Sequence, residues 1–151
     1  MNKAGPIIVI EDDIDDQEIL TDIFKNLDYK NEILFFSDGE EALAYLNQED
    51  EHPFLILSDI NMPKINGFEL RNKIFTDNQL KDKCIPYLFF TTGPSKKAVL
   101  EAYSLSVQGF FIKPNSFDAL QNTIRKIVEY WQECYSPSQY VPKGTAQLVL
   151  G

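Results

Sequence analysis

At 151 residues and 44% hydrophobic content the chain is about one domain long and can bury a substantial core. Its net charge of −9 argues against direct contact with nucleic acid or an anionic membrane, because no basic patch is present to neutralise phosphates; a cation or a basic partner suits it better. No apolar stretch approaches the roughly 18 residues of a membrane span, and Cys84 and Cys134 stand far apart in a chain with no secretory start, so they read as reduced and either buried or idle in a cytoplasmic protein.

The first predicted strand covers 6–11, where Ile7-Ile8-Val9-Ile10 runs into Glu11-Asp12-Asp13. Ile19, Leu20, Ile23, Phe24 and Leu27 follow at helical spacing. A second strand is expected at 32–36, a helix at 40–48, and then a polar loop holding His52, which is assigned no role. The third strand, 54–58, delivers Asp59 to a turn closed by Pro63 and Asn66-Gly67. Beyond it come a helix at 67–76, a strand at 86–91 ending on Thr91, a helix at 96–105 and a strand at 109–112 before Lys113-Pro114. Phe117, Leu120, Ile124, Ile127, Val128 and Trp131 mark the last helix, with Trp131 as a core anchor. From 134 to 151 proline and glycine punctuate an extended or partner-binding tail that ends in Leu148-Val149-Leu150.

Strand and helix alternate five times, which implies parallel strands with right-handed crossovers and a doubly wound three-layer α/β sandwich. Strands 1, 3, 4 and 5 would then end around one pocket, presenting Glu11, Asp12, Asp59, Thr91 and Lys113. Crowded carboxylates either hold raised pKa values or share a hard cation, and Mg²⁺ suits a site of one or two carboxylates, carbonyls, waters and phosphate oxygens. Lys113 would supply a point charge to a phosphate and Thr91 a hydroxyl donor. The remaining acids, Asp13, Asp15, Asp16 and Glu18, read as charges favoured near a helix N-terminus.

Glu11-Asp12, Asp59 with Asn61-Met62-Pro63 and Gly67, Thr91-Thr92 and Lys113-Pro114, in this order and spacing over about residues 5–133, resemble the receiver domain of two-component response regulators. The resemblance implies a flavodoxin-like (βα)5 fold with strand order 2-1-3-4-5. It implies Asp59 as phosphoacceptor, attacking the phosphohistidine of a sensor kinase or phosphotransfer protein, with Lys113 binding phosphate. Mg²⁺ would be held by Asp12, Asp59 and the backbone carbonyl of Asn61, with Glu11 acting through water. Thr91 and Phe110 take the switch positions, Gly93 stands where a larger shielding residue is common, and Lys113-Pro114 is similar to the family's cis peptide. A hydroxyl hydrogen bond contributes about 1 kcal/mol, whereas throwing a switch from 1:99 to 99:1 takes roughly 5.5, so Thr91 cannot act alone.

Two metal or phosphate alternatives fail. An EF-hand beginning at Asp59 would need glycine at Lys64 and glutamate at Leu70, and an aspartyl phosphatase would need a second acid where Asn61 stands. The rival that remains is a receiver-like scaffold that works without phosphorylation. After the last helix the chain is too short for an output domain, so output is expected by protein contact through the fourth helix, fifth strand and fifth helix. Thr91-Thr92, Ser104-Leu105-Ser106-Val107 and Val128-Glu129-Tyr130-Trp131 resemble receivers that pair with phytochrome-type histidine kinases and form homodimers.

Overall fold

The structure is a computed structural model that describes residues 1–141. Five strands, β1 (Ile7–Ile10), β2 (Ile33–Phe36), β3 (Leu55–Ser58), β4 (Tyr87–Thr91) and β5 (Gly109–Ile112), form one parallel sheet in the order β2-β1-β3-β4-β5. This is the flavodoxin-like order expected. Parallel strands buried on both faces need apolar residues at every position, and β1, β3 and β4 are buried throughout. Alternate side chains supply two cores. Ile7 and Val9 face the layer formed by α1 (Ile14–Leu27) and α6 (Phe117–Glu133), while Ile8 and Ile10 face α2 (Gly39–Leu46), α3 (Gly67–Thr76) and α5 (Lys96–Ser104).

The helices begin where capping side chains allow. Asp13, Asp38, Ser95 and Ser116 each accept a backbone N–H of the first turn, and Asn66 with Glu69 closes a full capping box on α3. One helix was not anticipated: α4 (Asn78–Asp82) occupies what reads as a loop. Asp77 ends α3 and also caps α4, accepting from the Gln79 and Leu80 N–H groups, and Leu80 fills the core. Lys83 then donates to the carbonyls of Leu46, Gln48 and Glu51 at 2.7–2.9 Å, tying the end of α2 to the start of β4.

Beyond α6 the chain turns back. Ser136 is fully buried, caps a 3-10 turn at Pro137–Gln139 and donates to the Met1 carbonyl. This is the described part of the segment expected to be extended; residues 142–151, with Leu148-Val149-Leu150, lie outside the described residues. Trp131 packs against the core as expected. Both cysteines are free, as expected of reduced thiols; Cys84 is exposed and Cys134 half-buried, which leaves the idle rather than the buried reading. Among the described residues no helix is long and apolar enough to cross a membrane.

Candidate phosphoacceptor site

The sheet register assembles the site. Ile10 pairs with Ser58, and the Asp59 N–H donates to the Ile10 carbonyl at 3.0 Å, so Glu11 and Asp59 leave adjacent strands side by side. Thr91 pairs with Ile112, and the Lys113 N–H donates to the Thr91 carbonyl at 2.8 Å, which carries the β4–β5 ladder one residue past the strand. Lys113 thereby enters from the far side of the sheet. Its ammonium lies 2.6 Å from Glu11 Oε2, 3.2 Å from Asp16 Oδ2 and 3.4 Å from Asp59 Oδ2. The described residues contain no cis peptide, so Lys113-Pro114 is trans; the ladder bond and the carboxylates orient Lys113.

Electrostatics in this cluster are lopsided. Three carboxylates face one ammonium, and the Lys113 and Glu11 side chains are 10% and 3% exposed. Burial pushes the Glu11 carboxyl up to about 7, against the pull of the Lys113 hydrogen bond. Burial works against the charge on Lys113, but the Glu11 hydrogen bond and the charges of Asp59, Glu11 and Asp16 outweigh it and raise its pKa. Folding therefore takes up a proton at Glu11 between the reference value of 4.5 and about 7, and stability contributed by this residue declines as pH rises through that window. Glu11→Gln, which has no proton to exchange, should flatten the decline. Thermal midpoints measured across the window without divalent cations check this, and equal slopes in both proteins would refute it.

Hard oxygen donors that outnumber the local cation suit a hard divalent ion. Asp12 and Asn61, which follow Glu11 and Asp59, are solvent-exposed. Among the described residues no three acidic, histidine or cysteine side chains stand close enough to hold an ion unaided. A cation here would rely on carbonyl, water and phosphoryl oxygens, which is how Mg²⁺ is usually bound.

Of the residues singled out from sequence, Glu11, Asp59 and Lys113 meet directly. Thr91 is buried at the end of β4, and its hydroxyl reaches the Thr92 carbonyl only at 3.5 Å. Phe110 is half-buried with its ring 6.0 Å from that of Phe89. Gly93 has φ +57°, and a Cβ there would meet open space. Asp16 reads from sequence as a helix N-terminal charge, yet it is the third carboxylate on Lys113; five residues after Glu11, in the first turn of α1, it carries no other signal. His52 is exposed, as expected.

The sequence profile of the response regulator receiver domain matches residues 7–125. Among curated relatives, the probable methanogenesis regulatory protein FilR2 of Methanothrix harundinacea is 32% identical over 129 residues, covering 83% of this chain and 82% of its own. Response regulator Rcp1 of Synechocystis is 30% identical over 137 residues, with 87% and 92% covered; its solved Mn²⁺-bound form superposes with a TM-score of 0.74 at 29% identity, covering 86% of this chain and 96% of that one. The phosphorylated cyanobacterial phytochrome response regulator RcpA superposes with a TM-score of 0.77 at 29% identity, covering 87% and 96%. A profile match that begins at the first residue of β1 and runs to the middle of α6 takes in the whole sheet and every residue of the acidic cluster, and the chain belongs to the response regulator receiver domains of two-component signalling.

Proposed function

We propose that the chain is a single-domain response regulator, its receiver domain spanning residues 5–133, in which Asp59 accepts a phosphoryl group and the signal passes on by protein contact. The observation that carries this reading is the divided Asp59 carboxylate: Oδ1 accepts the Ile60 N–H at 2.7 Å, while Oδ2 faces Lys113 at 3.4 Å. One oxygen is anchored and the other is available. The proposed donor is a phosphohistidine of a sensor histidine kinase, of phytochrome type, or of a phosphotransfer protein. Likeness to Rcp1 and RcpA supports the phytochrome assignment.

In the proposed reaction an Asp59 oxygen gives an electron pair to phosphorus while the bond to the histidine nitrogen breaks and its pair stays on the imidazole. Lys113 offsets charge gathering on the transferred oxygens, and Glu11 and Asp16 keep its ammonium in place. Mg²⁺, when bound, supplies further positive charge to those oxygens; Asp12, Asp59 and the Asn61 backbone carbonyl would hold it, with Glu11 acting through water. Phosphate on Asp59 competes for the Lys113 ammonium and offers an acceptor to the Thr91 hydroxyl, and the half-buried ring of Phe110 moves with β4 and β5. Treatment with Mg²⁺ and acetyl phosphate tests the reading, since a phosphorylation-independent scaffold gains no Asp59-dependent phosphate.

Open space above Gly93 leaves water a path to the acyl phosphate. Gly93→Glu should lengthen its lifetime severalfold in a chase of labelled protein. Decay at the wild-type rate would discard the idea.

The proposed output surface is α5, β5 and α6, the fourth helix, fifth strand and fifth helix of the sequence numbering before α4 is counted. There Leu100, Tyr103, Ile112 and Tyr130 are 56–63% exposed beside an edge strand. We assign a homodimer to this face in the cytoplasm. Leu100→Glu should shift sedimentation towards monomer, and a monomeric wild type would remove the assignment.

A further inference from the structure

Beneath Asp59 lies a pair of buried hydroxyls that the reaction above does not use. Tyr87 and Ser58 are both 0% exposed. Tyr87 Oη lies 2.9 Å from Ser58 Oγ and 3.1 Å from the Gly67 carbonyl oxygen, and the Ser58 hydroxyl donates to the Asp59 carbonyl at 2.8 Å. The Asp59–Ile60 peptide is thereby held on both edges. Ser58 holds its C=O, and the Asp59 carboxylate, through Oδ1, holds its N–H.

Packing leaves this knot little freedom. A Cβ at Gly67 would run into the Asp59 carbonyl and stand 2.7 Å from the Phe89 ring, so only glycine lets α3 approach so closely. The Tyr87 ring meets Phe89 edge-on with centroids 5.3 Å apart, and the Arg71 guanidinium sits 5.6 Å from its centroid. Arg71 donates in turn to the Leu105 and Ser106 carbonyls at 2.9 and 2.8 Å. A phenylalanine would fill the same core volume, and a buried hydroxyl costs free energy unless it is bonded. The bonds it makes lead to Asp59.

We propose that Tyr87 and Ser58 are positioning residues for the phosphoacceptor: they fix the Asp59–Ile60 peptide so that its N–H occupies Oδ1 and Asp59 presents Oδ2 to the incoming phosphoryl group. The inference rests on Asp59 being the acceptor. In the step itself an Oδ2–P bond forms, the donor–P bond breaks with its electron pair leaving on the donor, and neither hydroxyl gives up its proton. Ser58 gives its one hydroxyl proton to the Asp59 carbonyl, and Tyr87 shares its own between Ser58 Oγ and the Gly67 carbonyl.

The test measures phosphate uptake from acetyl phosphate with saturating Mg²⁺ in the full chain carrying Tyr87→Phe, Ser58→Ala or both. Tyr45→Phe is the control for loss of a hydroxyl that bonds Glu51 instead. Tyr87→Phe should lower the maximal rate about fivefold, with the half-saturating acetyl phosphate concentration unchanged. The double variant should be no slower than Ser58→Ala, because both changes cut one chain of bonds. A wild-type maximal rate in Tyr87→Phe, an equal loss in Tyr45→Phe, or losses that multiply in the double variant would each overturn the proposal. Wild-type protein without Asp59-dependent phosphate overturns the acceptor assignment and this proposal together.

Discussion

Asp59→Asn protein given Mg²⁺ and acetyl phosphate should remain unlabelled, its uptake at least about 10³-fold below wild type. An amide oxygen has neither the charge nor the free electron pair density of a carboxylate, so no acyl phosphate forms. The fold should tolerate the change. Oδ1 keeps an acceptor for the Ile60 N–H if the amide oxygen takes its place, and removing one of three carboxylates around Lys113 relieves crowding rather than creating an unpaired charge. Mass spectrometry of intact protein reads the result. Phosphate at wild-type level on Asp59→Asn would show that the acceptor lies elsewhere, and no phosphate on either protein would favour the scaffold reading.

Lys113→Ala should cut the rate of uptake by about 10²-fold, the usual loss when one preorganised donor to developing charge is removed. Stability is the competing effect. Breaking a buried ion pair from one side costs about 3–5 kcal/mol when the orphaned charge must stay charged. Glu11 has an alternative, because its carboxyl already stands near 7 with Lys113 present. Without the ammonium it takes a proton, so the fold survives at neutral pH and weakens as pH rises. Lys113→Arg should not restore the rate, since a planar guanidinium does not fit a position only 10% exposed that calls for a point charge. Rates and thermal midpoints measured together check the argument: a Lys113→Ala protein that labels at the wild-type rate removes Lys113 from the chemistry.

The sheet was legible because its signals are redundant. Five apolar runs, each bounded by turn formers and separated by helical stripes, admit few topologies, and the observed strands fall within a residue or two of the expected ones. Asp59 and Lys113 could be found for a related reason: they stand immediately after such runs, and parallel strands bring those ends together. Helix α4 escaped because five residues carry one buried side chain, Leu80, and a single apolar residue has no period. Asp16 is hidden for the opposite reason, since the preference for acids near a helix N-terminus already accounts for it. Its partner is 97 residues away, and only the fold brings them within 3.2 Å. Tyr87 reads as one more large residue in a strand; that its hydroxyl would meet Ser58 depends on the β3–β4 register, which periodicity does not fix.

The N–H of Gly67 donates to the Ile60 carbonyl at 2.7 Å, and the Asn66 side-chain oxygen accepts from Glu69. Asn-Gly is the dipeptide most prone to spontaneous deamidation, because the glycine nitrogen can attack the asparagine side chain and close a succinimide ring. Here that nitrogen is engaged and the side chain is held by the capping box, so the fold opposes this reaction beside Asp59. Unfolding exposes the pair, and isoaspartate at position 66 would lengthen the backbone at the start of α3. A molecule damaged in that way would lose the close approach of α3 beneath Asp59, so the same two bonds that begin a helix also set how long the site keeps its shape.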